Sequence, residues 1–406
     1  MNGLQKLQEE IEDLVQIFFK ANIPIYPVGG CVRDSLLGRP LGDIDLATPA
    51  HPEKIKKLFT RVIDTGIKHG TVTVIFKGKH YEITTFRSEE GYSDYRHPDK
   101  VVFHQDLIKD LKRRDFVINA MAWDPIKKEL IDPFGGLNDI ESKILRCVGS
   151  PYERFQEDPL RILRLFRFQS QLGFSIEADT LQAAQGLSKQ CVYVSWERKR
   201  LEWDKLLTGK FWYHARKEVL NTEIFVLPKN SLRNLETFRN IDQAPQWNLG
   251  RWAFHYWSLG FDSQVQVEQN LQEFRSSKKD IFEIVKTWKI FSYLGKNHFD
   301  PELLLDTWQS RENLLWLDWI PIIINEDESA QILKNKILER VTHRCPLFTS
   351  ELPINGHDLI NLGFQKGSFL GVLIEHLLAY CRMQKRYVSK EELLTYAKKF
   401  LADFEK

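Results

Sequence analysis

The chain has no C-x-x-C pair, no long uninterrupted apolar run, no low-complexity tract, no internal repeat and no marked excess of either charge. Its 5 cysteines, Cys31, Cys147, Cys191, Cys345 and Cys381, are scattered and odd in number. That excludes a disulfide framework and a thiolate zinc site, and points to reduced thiols in a cytoplasmic protein. The most apolar stretch, residues 314–324, is broken by Asp318 and Pro321, so no membrane span is expected. The N-terminal segment is amphipathic and acidic, without the basic and apolar regions of an export signal. A formal net charge of +2 over 406 residues means that bulk charge announces no nucleic-acid partner. Any such surface has to come from local segregation, and basic residues do gather at 109–114, 154–167 and 382–399, with an acidic segment at 325–328.

The length calls for several structural units. Residues 4–20 carry Leu4, Leu7, Ile11, Leu14, Val15 and Phe18 at helical spacing. Apolar strands are expected at 23–28, 43–47, 71–76 and 79–85, the last two joined by a tight turn at Lys77-Gly78. The polar, tyrosine-rich stretch 86–103 reads as a long loop. From about Asp139 helical periodicity dominates to the C-terminus. The pattern is thus an N-terminal part of mixed strands and helices followed by an all-α remainder, with breaks near 140, 207 and 330.

The sharpest local signal is Gly29-Gly30-Cys31-Val32-Arg33-Asp34, followed closely by Gly42-Asp43-Ile44-Asp45. Glycines at the end of a strand let backbone N–H groups approach a phosphate at a helix start. Alternation along a strand puts Asp43 and Asp45 on one face. Two carboxylates so placed suit two divalent cations, and Glu82 on the strand 79–85 is the best-placed third. Such a set performs nucleotidyl transfer: a hydroxyl attacks an α-phosphate and pyrophosphate leaves. Arg113-Arg114-Asp115-Phe116 opens an expected apolar helix with Asn119 one turn beyond Asp115, arginines that would meet phosphate or ribose oxygens.

In Glu157-Asp158-Pro159-Leu160-Arg161, helical spacing aligns Asp158, Arg161, Arg164 and Arg167 along one polar stripe. An acceptor beside a donor fork suits cytosine and adenine, which both present an amino donor next to a ring-nitrogen acceptor; guanine and uracil present the reverse. Asp158 and Arg161 would therefore admit C and A and repel G and U, and Arg164 and Arg167 would reach the triphosphate. Protein side chains would then replace a nucleic-acid template.

These runs, together with Asp132-Pro133-Phe134-Gly135-Gly136 and Glu197-Arg198 with Glu202 and Lys205, resemble the class II tRNA nucleotidyltransferase and bacterial poly(A) polymerase family over roughly residues 20–207. Residues 354–360 are similar to the C-terminal part of Bacillus-type CCA-adding enzymes. The resemblance implies an α+β fold: a polymerase-β-like nucleotidyltransferase head (1–140), a helical neck that reads the base (141–207), and a helical body (208–330) and tail (331–406) that bind the acceptor arm of tRNA. It implies catalytic Asp43 and Asp45 holding Mg2+, beside which Glu82 stands as the third catalytic carboxylate on its strand position alone, and nucleotide contacts from Gly30, Arg33, Arg114, Asp158, Arg161, Arg164 and Arg167. CTP and ATP would be the substrates and tRNA the partner, with no membrane, and a homodimer is compatible with it. The stretch 88–104, with Tyr92, Asp94, Tyr95 and Arg96, looks like the family's flexible loop, which CC-only members lack. CCA addition, A-only addition and poly(A) synthesis stay open at this point, as does a catalytically silent RNA-binding protein. His357-Asp358 reads as a helix start rather than a metal-binding pair.

Overall fold

In a computed structural model of the protein, the residues described are 2–91, 99–224, 241, 244–295, 304, 314–324, 327–342, 346, 349–365, 367–384 and 387–404. The chain folds as two compact units, Met1–Val226 and Leu227–Lys406. The expected loop residues Tyr92, Asp94, Tyr95 and Arg96 lie outside the described residues, as does Cys345.

The first unit begins with helix α1 (Asn2–Lys20), whose Leu7, Ile11, Leu14, Val15 and Phe18 are buried as one stripe. A five-stranded sheet follows, built from β1 (Tyr26–Pro27), β2 (Ile44–Thr48), β3 (Val62–Gly66), β4 (Thr71–Phe76) and β5 (Lys79–Thr85) in the order β1-β2-β5-β4-β3. Strand β2 runs parallel to β5, and the other neighbours are antiparallel. Alternation decides the two faces. Leu46, Ile83 and Val72 align across β2, β5 and β4, as do Ile44, Tyr81 and Val74, and all are buried. Tyr81 donates its hydroxyl to the Glu10 carbonyl of α1, which places this apolar face against that helix. The opposite face carries Asp45, Glu82 and Thr73 in one row and Thr84 and Thr71 in the next. The β4–β5 hairpin turns at Lys77 and Gly78, both at positive φ (51° and 77°), as a two-residue turn of matching twist requires.

Helix α2 (Gly30–Leu36) lies between β1 and β2 in sequence, α3 (Pro52–Lys56) follows β2, and α4 (Leu107–Lys112) and α5 (Gly136–Ser142) precede the helical part. That part comprises α6 (Pro151–Glu157), α7 (Leu160–Leu172), α8 (Ala178–Leu187), α9 (Trp196–Leu207) and α10 (Trp212–Leu220). Helix α7 packs on both α9 and α10, and its Ile162, Leu163, Leu165 and Phe166 are all at 0% exposure.

Several sequence expectations need correction. The strand expected at 23–28 is shortened to Tyr26–Pro27, with Val28 adding only an isolated bridge to Ala122. The ends of the expected loop 86–103 pair as antiparallel strands, Arg87–Glu90 with Lys100–Phe103. The segment after Arg113-Arg114 is not an apolar helix: only Val117–Asn119 makes a 3-10 turn, and Phe116 bridges to Cys147. Residues 115–124 are buried without a polar face, so no amphipathic helix is selected. A hairpin of Ala122–Asp124 and Glu129–Ile131 and a short parallel pair, Ile144–Leu145 with Ser175–Ile176, carried too few residues to register in the sequence pattern.

The second unit is helical in its described residues. Helices α11 (Asn248–Ser258), α12 (Gln264–Glu273) and α13 (Lys278–Leu294) enclose an aromatic core in which Phe254 and Phe291 both lie 5.4 Å from Trp319. The C-terminal helices Gly356–Asn361, Ser368–Gln384 and Lys390–Phe404 share a second core that includes Leu359, Leu377, Cys381 and Leu393. As expected, His357-Asp358 starts a helix: Asn355 caps it and Asp358 closes the capping box. Among the described residues no helix is long and apolar enough to cross a membrane. Cys31 and Cys191 are buried, and burial pushes both thiols up to about 12, so neither is reactive.

Candidate functional site

The glycine pair is held by the sheet edge. Gly29 N–H donates to the Met121 carbonyl (3.2 Å), Val28 N–H to the Asp45 carbonyl (3.0 Å), and Arg33 N–H to the Gly29 carbonyl (3.1 Å). Gly29 sits at φ +73°, and a Cβ there would come within 2.8 Å of Arg114 Nη1. The positive φ is what favours glycine there; the Arg114 guanidinium, the far end of a flexible side chain, could move aside. Gly30 is the first residue of α2.

Asp45 and Glu82 are direct neighbours on parallel strands and share the sheet face away from α1. Asp43 stands exposed immediately before β2. Burial pushes the Asp45 carboxyl up to about 6, and the negative charges of Glu82 and Asp43 add to that rise against the opposing pull of Arg114. Hard oxygen donors crowded enough to resist ionisation fit a divalent cation, whose charge would remove the conflict. Among the described residues no group of three or more His, Cys, Asp or Glu is arranged as a preformed metal cage, so Asp43 and Asp45 would need other oxygens, from substrate or water, to complete it.

Asp45, Glu82, Arg114, Asp158, Arg161 and Arg164 line one cleft of about 350 Å³, with Arg87, Arg113, Asp115 and Arg198. Asp158 is not on a helix with the arginines. It occupies the extended break between α6 and α7 (φ −145°), because Pro159 cannot continue α6 and instead begins the first turn of α7. There Asp158 Oδ1 accepts the Leu160 N–H (3.1 Å) and Oδ2 accepts Arg198 (2.7 Å). Arg161 donates to Glu157 (2.5 Å) and to the carbonyls of Arg154 (3.1 Å) and Arg113 (3.3 Å). Acceptor and donor fork are therefore held separately, each by its own partner, rather than by one another's side chains.

Arg164 donates to Asp115 through Nε (2.7 Å), and Asp115 also accepts from Asn119 (3.2 Å) and the Phe116 N–H (2.8 Å). Burial alone would raise the Asp115 carboxyl, but the Arg164 charge and these hydrogen bonds outweigh it and hold the group well below the usual carboxylate range. A depressed folded-state pKa contributes stability that is present above the unfolded value and lost as pH falls towards the folded one. We therefore expect Asp115→Asn to cost about 2 kcal/mol at pH 7, allowing for the partial exposure of Arg164. The gap from wild type should narrow below about pH 4. Urea unfolding at pH 7 and pH 3 reads both effects.

Three of the expected nucleotide contacts, Gly30, Arg33 and Arg167, do not line the cleft, and neither does the expected metal ligand Asp43. Arg33 donates to Asp34 (3.0 and 2.8 Å) and Asn119 (2.6 Å), and Arg167 donates to Glu202 (3.3 Å). Their guanidinium carbons lie 5.0 and 4.1 Å from the centre of the Phe168 ring, and that of Arg164 lies 5.5 Å away. Burial and the Arg164 charge lower Arg167 to about 10. Sequence reasoning gave no role to Arg198, Arg87 or the bonded Thr71–Thr84 hydroxyl pair. Arg198 meets Asp158 across 40 residues, which no local spacing encodes.

Comparison with known proteins gives one consistent result. The Poly A polymerase head domain family matches residues 25–146, and a tRNA nucleotidyltransferase domain 2 (putative) family matches residues 248–396. The CCA-adding enzyme of Lactiplantibacillus plantarum is 35% identical over 391 residues, covering 95% of this chain and 94% of that protein. That of Streptococcus gordonii is 37% identical over 388 residues, covering 92% and 94%. The crystal structure of the Bacillus stearothermophilus CCA-adding enzyme in complex with CTP superposes with a TM-score of 0.80 at 30% identity, covering 100% of this chain and 99% of that one.

Proposed function

This chain belongs to the CCA-adding enzymes, and from that membership we infer that it builds and repairs the 3′-terminal CCA of tRNA from CTP and ATP, with the cleft between sheet and neck helices as its active site. The observation that carries the assignment is that a carboxylate floor (Asp45, Glu82) and a base-reading wall (Asp158, Arg161) border the same cleft. Nucleotidyl transfer needs the first and choice of base without a template needs the second.

Members of this nucleotidyltransferase family use a divalent metal, and we propose Mg2+ held by Asp43 and Asp45, with Glu82 as the third carboxylate. Bound there, Mg2+ would acidify the attacking 3′-hydroxyl and neutralise charge on the pyrophosphate leaving group. Arg114, behind the glycine turn, and Arg164 supply cations to the ribose and phosphates. Gly30 offers the N-terminal end of α2 to a phosphate. Arg33 and Arg167 reach the nucleotide by exchanging Asn119 and Glu202 for substrate oxygens.

Asp158 keeps lone pairs for a base amino group after bonding Leu160 and Arg198, since an ionised carboxylate has about four acceptor sites. Arg161 donates to the adjacent ring nitrogen. The head is assigned to residues 1–140, the neck to 141–207, and the tRNA-binding body and tail to 208–330 and 331–406, in a cytoplasmic protein.

The reading is tested by incorporation of labelled CTP and ATP, with magnesium, into transcripts ending before CCA, after C and after CC. Addition of C, C and A to the shortest transcript is the expected result. Growth of A alone on the CC-ended transcript would replace it with A addition, and long A tails would replace it with poly(A) synthesis.

A further inference from the structure

Asp110 stands outside the cleft, and two of the arginines that line the cleft are held by it. It lies on α4 at 1% exposure, whereas Arg113 and Arg114, three and four residues on, both border the cleft. The two carboxylate oxygens are divided between them. Oδ1 accepts Arg113 Nε and Nη2 (3.1 and 2.9 Å) together with the Arg87 N–H (3.3 Å), and Oδ2 accepts Arg114 Nη2 (3.3 Å). Burial alone would raise this carboxyl, but the charges of Arg113 and Arg114 outweigh it and hold the group below its ordinary value, so it is ionised at neutral pH.

The two arginines are held differently. Arg113 also donates to Glu89 (3.2 Å), and Glu89 accepts Arg87 Nε (2.8 Å), so two carboxylates and two arginines close a ring between α4 and the strand Arg87–Glu90. Arg114 lacks such a second hold. Among the described residues Asp110 is the one group that accepts a hydrogen bond from it, and its Nε is buried without a partner. Its Nη1 would stand 2.8 Å from a Cβ at Gly29, and its charge acts on Asp45. A guanidinium has five donors and no acceptor, so Arg114 keeps donors for a ligand oxygen near the glycine turn and the catalytic carboxylate. A buried ion pair adds little net stability over well-packed apolar side chains of similar volume; what Asp110 adds is a fixed position for Arg114.

We propose that Asp110 makes the site select ribonucleotides, as a positioning residue that aims Arg114 at the 2′-hydroxyl of the incoming nucleotide. The inference rests on the nucleotide site of the preceding subsection, where Arg114 serves ribose and phosphates, and adds the buried group through which one sugar is told from the other. A site built to bond a hydroxyl rejects the analogue lacking it, because the protein donor is then left without a partner. The division of the two oxygens makes the role separable from base reading. An amide at 110 keeps its oxygen on Arg113, which brings two donors and whose carbonyl accepts Arg161, and turns its NH2 towards Arg114, donor against donor.

The test is equilibrium binding of CTP, dCTP and UTP, with Mg2+, to the full chain carrying Asp110→Asn, Arg114→Lys or both. Asp110→Asn should weaken CTP about tenfold and dCTP by less than about twofold, with the preference for CTP over UTP kept within about twofold. In the Arg114→Lys background it should cost nothing further, since the two residues act as one unit. A purely structural role would weaken CTP and dCTP alike, and a ratio taken on one preparation does not depend on the fraction folded. Should Asp110→Asn fail to fold, Asp110→Glu, which keeps the charge and both acceptors but displaces Arg114 by a methylene, decides by the same ratio. Equal losses for CTP and dCTP, an unchanged ratio in Asp110→Asn or in Arg114→Lys, or additive losses in the double variant overturn the proposal. Failure of wild type to incorporate CTP and ATP would instead strike the functional reading, while the CTP and dCTP affinities would still decide this one.

Discussion

Asp45→Asn should abolish CMP and AMP incorporation, by at least about 10³-fold or 4 kcal/mol of transition-state stabilisation, while tRNA affinity changes by less than about twofold. The same substitution should make the metal-free protein more stable at pH 7.5. Asp45 is pushed up to about 6 by burial, with Glu82 and Asp43 adding to the rise, so its ionisation is disfavoured in the fold relative to the unfolded chain. A raised folded-state pKa means that stability present below the unfolded value, near 4, is lost as pH climbs through about 6. Replacing the carboxylate by an amide removes that loss, of the order of 1–2 kcal/mol once partial solvation is allowed for. Thermal unfolding from pH 4.5 to 7.5 without divalent ions should show the slope in wild type and not in the variant. A dead but stabilised protein identifies a carboxylate that the fold tolerates for its chemistry. Wild-type incorporation in the variant would remove Asp45 from the active site.

The second large effect concerns choice of base. With Asp158 and Arg161 both changed to alanine, preference for CTP and ATP over UTP and GTP should collapse from about 10³-fold or more to within about tenfold, since a site built on paired hydrogen bonds rejects mismatches by leaving buried groups unpaired. The structure sharpens this expectation. Asp158 is oriented by Arg198 and Arg161 by Glu157, at 2.7 and 2.5 Å, so each half of the reader has an independent support. Arg198→Ala should consequently relax selectivity in part, with Arg161 still in place. Competition assays with mixed nucleotides on CC-ended transcripts measure both, and unchanged selectivity in the double variant would sink the idea that protein side chains act as the template.

The parts of this molecule that were legible from sequence are those governed by local rules. The positive-φ turn at Lys77-Gly78 and the buried stripe of α7 follow from glycine's backbone freedom and a period of 3.6, whereas the strand carrying Asp45 begins only at Ile44, leaving Asp43 before it, and the pairing of Asp45 with Glu82 joins two distant strands. The arginine-rich segment at 113–121 misled because its apolar residues are buried all round, leaving no periodicity to distinguish a helix from packed irregular chain. Asp158 reads as helical because the spacing to Arg161 and Arg164 is helical; with Pro159 as the N-cap, the helix starts two residues past it, at Leu160. Long-range partners such as Arg33–Asn119, separated by 86 residues, leave no trace in local spacing.

The ring of Phe168 lies within 5.5 Å of three guanidinium groups, those of Arg33, Arg164 and Arg167, with Phe116 edge-on at 5.6 Å. Asp34, Asn119, Asp115 and Glu202 each hold one or another of these guanidiniums, and the shared rigid ring adds a common surface that ties the spacing of the three together. On the proposed reading, an enzyme that accepts two different bases in succession at one site would then present the same arrangement to each incoming triphosphate. Arg33 and Arg167 would then have only to trade Asn119 and Glu202 for substrate oxygens, returning to the same ring and the same spacing before the next addition.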